Sequence, residues 1–349
     1  MKKQSKSITL RQVAKLARTS KSTVSRVLTN HPSVSPKTRA RIESVIRKQG
    51  FRPNLFARGL AGGRTGLVAV IAAEINSGFY AEVIKGIDEI AGQHDGHLLS
   101  SFAHGVGDYV RLWKELAEGG KADGIILVAP PLEVLSSDVL PGYIPTVLCA
   151  CRAQRSKKGW SQMDSVTIDN QKAMDEMLGH LVEQGCQSLV HVAGPMDVFD
   201  AIDRRRSFES FLERNRRVKG EVIQGSLTRE GGRAAVLEYL NRHAGLPDAF
   251  VAFNDSTALG VLEALKEHGV QGTKPIAVTG CDDEPASAFV GLTTLHMPMV
   301  ELGRETARLL FDRLEKRAEE GSPRHTVIGL TLKVRDSSRV AGRKAAPPA

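Results

Sequence analysis

Apolar positions recur in three short helical patterns near the start of the chain and then change rhythm. In TLRQVAKLA, from Thr9 to Ala17, the residues Leu10, Val13, Leu16 and Ala17 fall at helical spacing. Thr9 and Gln12 stand ahead of them as a capping box, so the pattern predicts a helix starting at about residue 10. After the break Arg18, Thr19, Ser20, a second set recurs at Val24, Val27 and Leu28, with Ser20 placed to cap it. Ser35 followed by Pro36, an N-cap ahead of proline at the first helical position, opens a third helix with Ile42, Val45 and Ile46 on one side. Three short helices sharing one small core predict a helix-turn-helix headpiece. The following stretch, RPNLFARGL from Arg52 to Leu60, is helix-capable and too apolar at Leu55, Phe56 and Leu60 to be only a spacer.

From Thr65 the rhythm is that of strands. Short apolar runs (GLVAVIAA, HLLSSF, DGIILVA, PTVLCA, SLVHVAG, AFVAFN and PIAVTG) alternate with longer amphipathic segments. Alternation of this length means parallel sheets joined by crossover helices. Two such sets, before and after about Thr167, predict an α/β core of two doubly wound lobes with a cleft between them.

Charge divides the chain in the same place. Residues 1–60 hold 15 lysines and arginines against a single acid, Glu43, a net +14. The other 289 residues hold 33 basic and 38 acidic side chains, a net −5. A basic module attached to a near-neutral body is the footprint of a polyanion binder. In a helix-turn-helix unit the first part of the second helix enters the major groove, which assigns Lys21, Ser22 and Arg26 to the base edges. Arg26 is the natural bidentate donor to guanine, a contact of about 1–3 kcal/mol against the wrong base. Thr23, Ser25, Thr38 and Arg39 are assigned to phosphates.

The segment from Thr9 to Leu28, with HPSVSPKTRARI and GFRPNLFARGLAGGRTG after it, closely resembles the headpiece of lactose-repressor (LacI/GalR) type transcriptional regulators. It departs at Arg18, where the family has Gly or Asn in the turn, and at Thr29, where Asn is usual. The order of elements through GLTTLHMPMVELGRETARLLFDRL resembles the periplasmic-binding-protein-like core of the same family, so the likeness spans nearly the whole chain. It implies a headpiece over 1–52, a hinge helix and linker over 53–64, and a first lobe of 65–166 with 294–327. The second lobe would be 167–293 with 328–338, followed by a disordered tail over 339–349. It also implies a homodimer on a pseudo-palindromic operator, three crossings between the lobes, and a hinge leucine, here Leu60, wedged into the minor groove. Ligands of such cores sit in the interlobe cleft. By resemblance Arg204 grips the hydroxyls of a sugar or sugar derivative and Asp255 accepts from them, with Phe79, Tyr80, Asn254 and Asp282 as further effector contacts. Ser207 in place of Gly, the absence of an Asp in the strand end LCACR, and EINSGFY in place of DISNPFF are departures in this region.

Catalytic motifs are missing: there is no GxSxG, no HExxH, no CxxC pair and no complete phosphate loop. Cys149 and Cys151 lack a second ligand pair, and Cys281 beside Asp282, Asp283 and Glu284 follows a strand, so neither predicts a metal. No cofactor is expected. No apolar run approaches the ~18 residues of a membrane span, and MKKQSKSITLRQ has polar residues where a signal peptide is apolar. The reading is a non-enzymatic, cytoplasmic repressor. The alternative, a cytoplasmic sugar-binding protein that does not bind DNA, leaves the +14 segment and its three helix signals without a purpose.

Overall fold

The computed structural model describes residues 8–28, 31–51, 64–73, 78–136, 144–152, 163–269, 275–315 and 322–339. The chain forms two compact units, Met1–Gly66 and Leu67–Ala349. The predicted hinge helix, and the predicted tail after Arg339, lie outside the described residues.

In the first unit, α1 (Leu10–Leu16), α2 (Lys21–Leu28) and α3 (Pro36–Gln49) start at their predicted caps. Thr9 N donates to Gln12 Oε1 at 2.8 Å while Gln12 N donates to Thr9 Oγ1, closing the capping box. Thr23 N donates to Ser20 Oγ at 3.1 Å at the head of α2, and Thr38 N to Ser35 Oγ at 3.4 Å at the head of α3. Val13, Ala17, Val24, Val27 and Ile42 form the core. Leu16 is a correction to the sequence pattern: it is 53% exposed, because at about 100° per residue it lies a quarter-turn away from the stripe made by Val13 and Ala17. Arg18, in the turn, stands at φ 46°. A left-handed conformation costs a residue with a Cβ about 1–2 kcal/mol.

The second unit is built on two six-stranded sheets. The first has the order β11-β5-β4-β3-β1-β2, all parallel. It comprises β1 (Leu67–Ala72), β2 (His97–Phe102), β3 (Gly124–Val128), β4 (Thr146–Cys149), β5 (Asp164–Ile168) and β11 (His325–Ile328). Around it lie α4 (Gly78–Gln93), α5 (Val106–Glu118), α6 (Leu132–Ser136) and α12 (Met299–Leu314). The second sheet, in the order β12-β10-β9-β8-β6-β7, is parallel except that β12 (Thr331–Lys333) runs antiparallel to β10 (Thr293–His296). Its other strands are β6 (Ser188–Ala193), β7 (Lys219–Gln224), β8 (Ala249–Ala252) and β9 (Ala277–Asp282). Its helices are α7 (Asn170–Glu183), α8 (Phe199–Arg214), α9 (Arg229–Arg242), α10 (Asp255–Glu267) and α11 (Pro285–Phe289).

The chain passes between sheets after Ile168, after His296 and after Ile328. Two of these points fall two residues or more beyond the boundaries read from sequence, because β5 and β10 keep pairing in register past 166 and 293. One apolar cluster runs across the junction, from Val68, Ile126 and Leu302 of the first lobe to Met177, Leu189 and Phe208 of the second. In the first lobe Asp164, almost fully buried, receives both arms of Arg313 at 2.9 and 2.8 Å and the Arg324 backbone N–H at 2.7 Å. That knot ties the end of α12 and the returning β11 to β5. The four cysteines are buried and free, and burial pushes the Cys149 thiol up to about 12.

Candidate functional site

The headpiece exposes one face of α2. Val24 and Val27 are buried, while Lys21, Ser22, Ser25 and Arg26, four of the residues assigned to DNA from the sequence, are exposed and Thr23 is half-buried. Ser20 is the hub at the head of the helix, with its hydroxyl 2.7 Å from Ser22 Oγ and 2.8 Å from Thr23 Oγ1. Thr38 accepts from Ser35 Oγ at 3.0 Å at the start of α3. Arg39 is directed inward rather than to the open face: it donates to the carbonyls of Val27 at 3.3 Å and His31 at 2.8 Å, clamping α3 to the end of α2. Leu60 lies outside the described residues.

Between the lobes is a cleft of about 320 Å³ at the C-terminal ends of the strands, where open α/β sheets take their ligands. The first lobe contributes Phe79 and Tyr80 from the first turn of α4, their rings edge-on at 5.1 Å, and Ala129 after β3. The second lobe contributes Asp200 and Arg204 of α8, the segment Leu227–Glu230, Phe253 and Asn254 after β8, and Asp282 at the end of β9. Arg204 is only 2% exposed. Its Nε donates to Asn170 Oδ1 at 2.9 Å, its Nη1 to the Phe253 carbonyl at 2.6 Å, and its guanidinium lies 4.7 Å from the Phe253 ring centre. Burial opposes its charge, and the nearby Cys281, Asp200, Asp282 and Asp255 more than offset that, so it stays a cation. Asn170 completes the support by donating to Asp200 at 2.9 Å and Asp203 at 3.2 Å.

The acids separate into two roles. Asp282 lines the cleft at 8% exposure, and among the described residues its carboxyl has no hydrogen-bond partner. Burial pushes its pKa far above the carboxylate range. Asp255 does not line the cleft. It is fully buried and accepts from Thr294 Oγ1 and Ser287 Oγ, both at 2.5 Å, and from Glu284 N at 2.9 Å. Burial, working against those three donors, raises it to about 6. The effector role that the resemblance implied for Asp255 is thus corrected: it lies one residue past the N-cap Asn254, and the first turn of α10 aims it at β10 and α11. Asn254 does reach the cleft while capping α10 through Thr257 N at 2.8 Å and holding the Leu227 carbonyl at 3.1 Å. Sequence reasoning missed Asp200 and Asn170. Asp200 was findable, standing four residues before Arg204 on the same helix face.

Among the described residues no group of His, Cys, Asp and Glu could hold a metal ion, and no helix is long and apolar enough to cross a membrane.

Residues 9–54 match the sequence profile of bacterial regulatory proteins of the lacI family, and residues 178–338 that of the periplasmic binding protein-like domain. The HTH-type transcriptional regulator CelR of Thermobifida fusca is 30% identical over 94% of this chain and 98% of its own. Among solved structures, a complex of the transcriptional regulator CelR with cellobiose superposes with a TM-score of 0.69 at 29% identity, covering 95% of this chain and 99% of that one. A lac repressor dimer bound to operator and an anti-inducer gives a TM-score of 0.80 at 24% identity, over 95% and 99% of the two chains, and so shares the fold. Headpiece, two-lobed core and full-length likeness agree: the chain belongs to the LacI family of DNA-binding transcriptional regulators.

Proposed function

We propose that this chain is a cytoplasmic transcriptional repressor that binds a pseudo-palindromic operator as a homodimer and is controlled by a sugar or sugar derivative held in the interlobe cleft. Two headpieces reading two half-sites call for two-fold symmetry. The lac repressor that shares the fold was solved as a dimer on its operator, and the CelR relative with cellobiose. In this reading Lys21, Ser22 and Arg26 face bases, Thr23, Ser25 and Thr38 hold phosphates, and Arg39 keeps α2 in place for them. Leu60 is the hinge wedge. Residues 65–168 with 297–328 form one lobe and 169–296 with 329–338 the other, each supplying one wall of the cleft.

The observation that carries the effector assignment is the pairing, in one enclosed cleft, of an aromatic wall with a buried guanidinium and two buried carboxyls. Arg204 makes two of its five possible donations inside the protein, which leaves donors for a ligand. Asp282 and the second oxygen of Asp200 accept. Donors and acceptors fixed around an apolar platform suit a polyhydroxyl ring. The test is selection of genomic fragments by the purified protein at about 0.15 M salt, where nonspecific phosphate binding is weak, repeated with pooled sugars and sugar phosphates. An enriched palindrome that a sugar pool strengthens or removes is the expected result. No enriched sequence under any pool would refute the assignment.

A further inference from the structure

The turn between α1 and α2 begins at Arg18, whose φ of 46° places it in the left-handed region. Glycine enters that region freely, and Asn and Asp compensate by hydrogen bonding to nearby backbone, but arginine has neither recourse. Nothing within the headpiece rewards its presence. Arg18 is exposed, and among the described residues its guanidinium has no hydrogen-bond or ion-pair partner. Glu43, the one acid among residues 1–60, is 3.9 Å from Arg47. Strained residues of this kind cluster at functional sites.

Position says what that work is. Arg18 stands three residues before Lys21, the first residue of α2. Three residues span at most about 10 Å, less than the ~12 Å width of a major groove. A helix whose first turn rests on base edges therefore brings this turn beside the groove wall, which is phosphate. Resting on the DNA-binding reading above, we propose that Arg18 contacts the DNA backbone beside the groove entered by α2, and that the turn keeps its strain for that contact.

The experiment uses the full-length protein, a mixed-sequence DNA duplex and binding isotherms between about 50 and 200 mM salt. Arg18→Gly relieves the turn, so it should raise the melting temperature of the headpiece. It should also lower the slope of log affinity against log salt by about 0.9 for each headpiece on the DNA, and so by about twice that for a dimer using both. Arg18→Lys, which restores the charge, should return the slope to the wild-type value. A wild-type slope in Arg18→Gly would overturn the contact and leave Arg18 as a turn residue only. Wild-type protein that shows no salt-dependent DNA binding would instead remove the regulator reading, and this inference with it.

Discussion

Asp255 and Asp282 are both buried acids of the second lobe, and their neighbours give them opposite functions. Asp255 is saturated by three donors that join α10 to α11 and β10, whereas Asp282 faces the cleft with no partner among the described residues. Asp255→Asn sets an amide against those donors and should cost about 1.5–3 kcal/mol of stability, the range of a charge-assisted bond. Effector affinity should change little. Asp282→Asn should leave the ligand-free protein as stable or more so, and weaken the effector by about 2- to 10-fold, since burial keeps this carboxyl neutral and a hydrogen bond between neutral groups is worth about 0.5–1.5 kcal/mol. Thermal unfolding alongside effector titration of both variants checks this, and a reversed pattern would refute it. The acidic positions were legible in the sequence, but which one faces a ligand was not: that depends on the one-residue step from N-cap to first turn.

His191, in the middle of β6, carries a pH prediction. It is fully buried, its Nδ1 lies 2.8 Å from the Val251 carbonyl, and its Nε2 has no hydrogen-bond partner among the described residues. Burial is the main cause that depresses its pKa to about 4, from 6.5 in the unfolded chain. Between those values the unfolded chain takes up a proton that the folded one refuses. The contribution is therefore complete above pH 6.5 and falls away toward pH 4, by about 3 kcal/mol over the whole window. Denaturant unfolding at several pH values should show this loss in the wild type and a shallower one in His191→Gln.

At the scale of elements, each lobe pins two helices together through glycine. A Cβ on Gly86 of α4 would strike the Val300 carbonyl of α12, and one on Gly303 would strike that of Val83. Gly260 and Gly232 do the same between α10 and α9. Gly86→Ala should therefore destabilise the protein by about 1–3 kcal/mol through overpacking. Gly92, on the same helix α4, has nothing within 4 Å of the point where a Cβ would stand. Its replacement by Ala should do the opposite and gain about 0.4–1 kcal/mol. Equal effects at the two positions, read by chemical denaturation, would exclude the close approach as the cause. In sequence Gly86 and Gly303 look like weak points of a helix, because the partner backbone that requires each of them lies far along the chain. Six central strands, β1, β3, β4, β6, β8 and β9, were legible because both faces are covered, giving apolar runs, and the edge strand β2 was legible from HLLSSF. β7 was not: it is an edge strand reading KGEVIQ, mostly exposed. Nor was β12, with only three residues and its exposed ends.

At the scale of the molecule the two functions belong to different units. The first carries the excess positive charge, and the second holds the cleft. Within the second, the lobes meet through three crossings, the Leu132 N–H donating to the Asp197 carbonyl at 2.9 Å, and Phe199 packed on the outer core of the first lobe. An effector that touches Phe79 on one side and Arg204 on the other acts on the lobe arrangement as well as on its own pocket. If that arrangement sets operator affinity, the two sites share a coupling free energy of about 1–3 kcal/mol, which is about 5–150-fold in affinity. Linkage then demands reciprocity: whatever factor saturating effector applies to operator affinity, saturating operator must apply to effector affinity, in the same direction. A core starting at residue 67 should lose DNA binding and bind effector with the affinity of DNA-free full-length protein. Isothermal titration of effector into full-length protein alone, full-length protein on operator and the isolated core, together with titration of operator into the core and into full-length protein with and without saturating effector, measures each quantity. Matching factors, with the core equal to the DNA-free protein, are the expected result. Unequal factors would break the thermodynamic cycle, and a core that differs from the free protein would mean that the headpiece acts on the cleft without DNA.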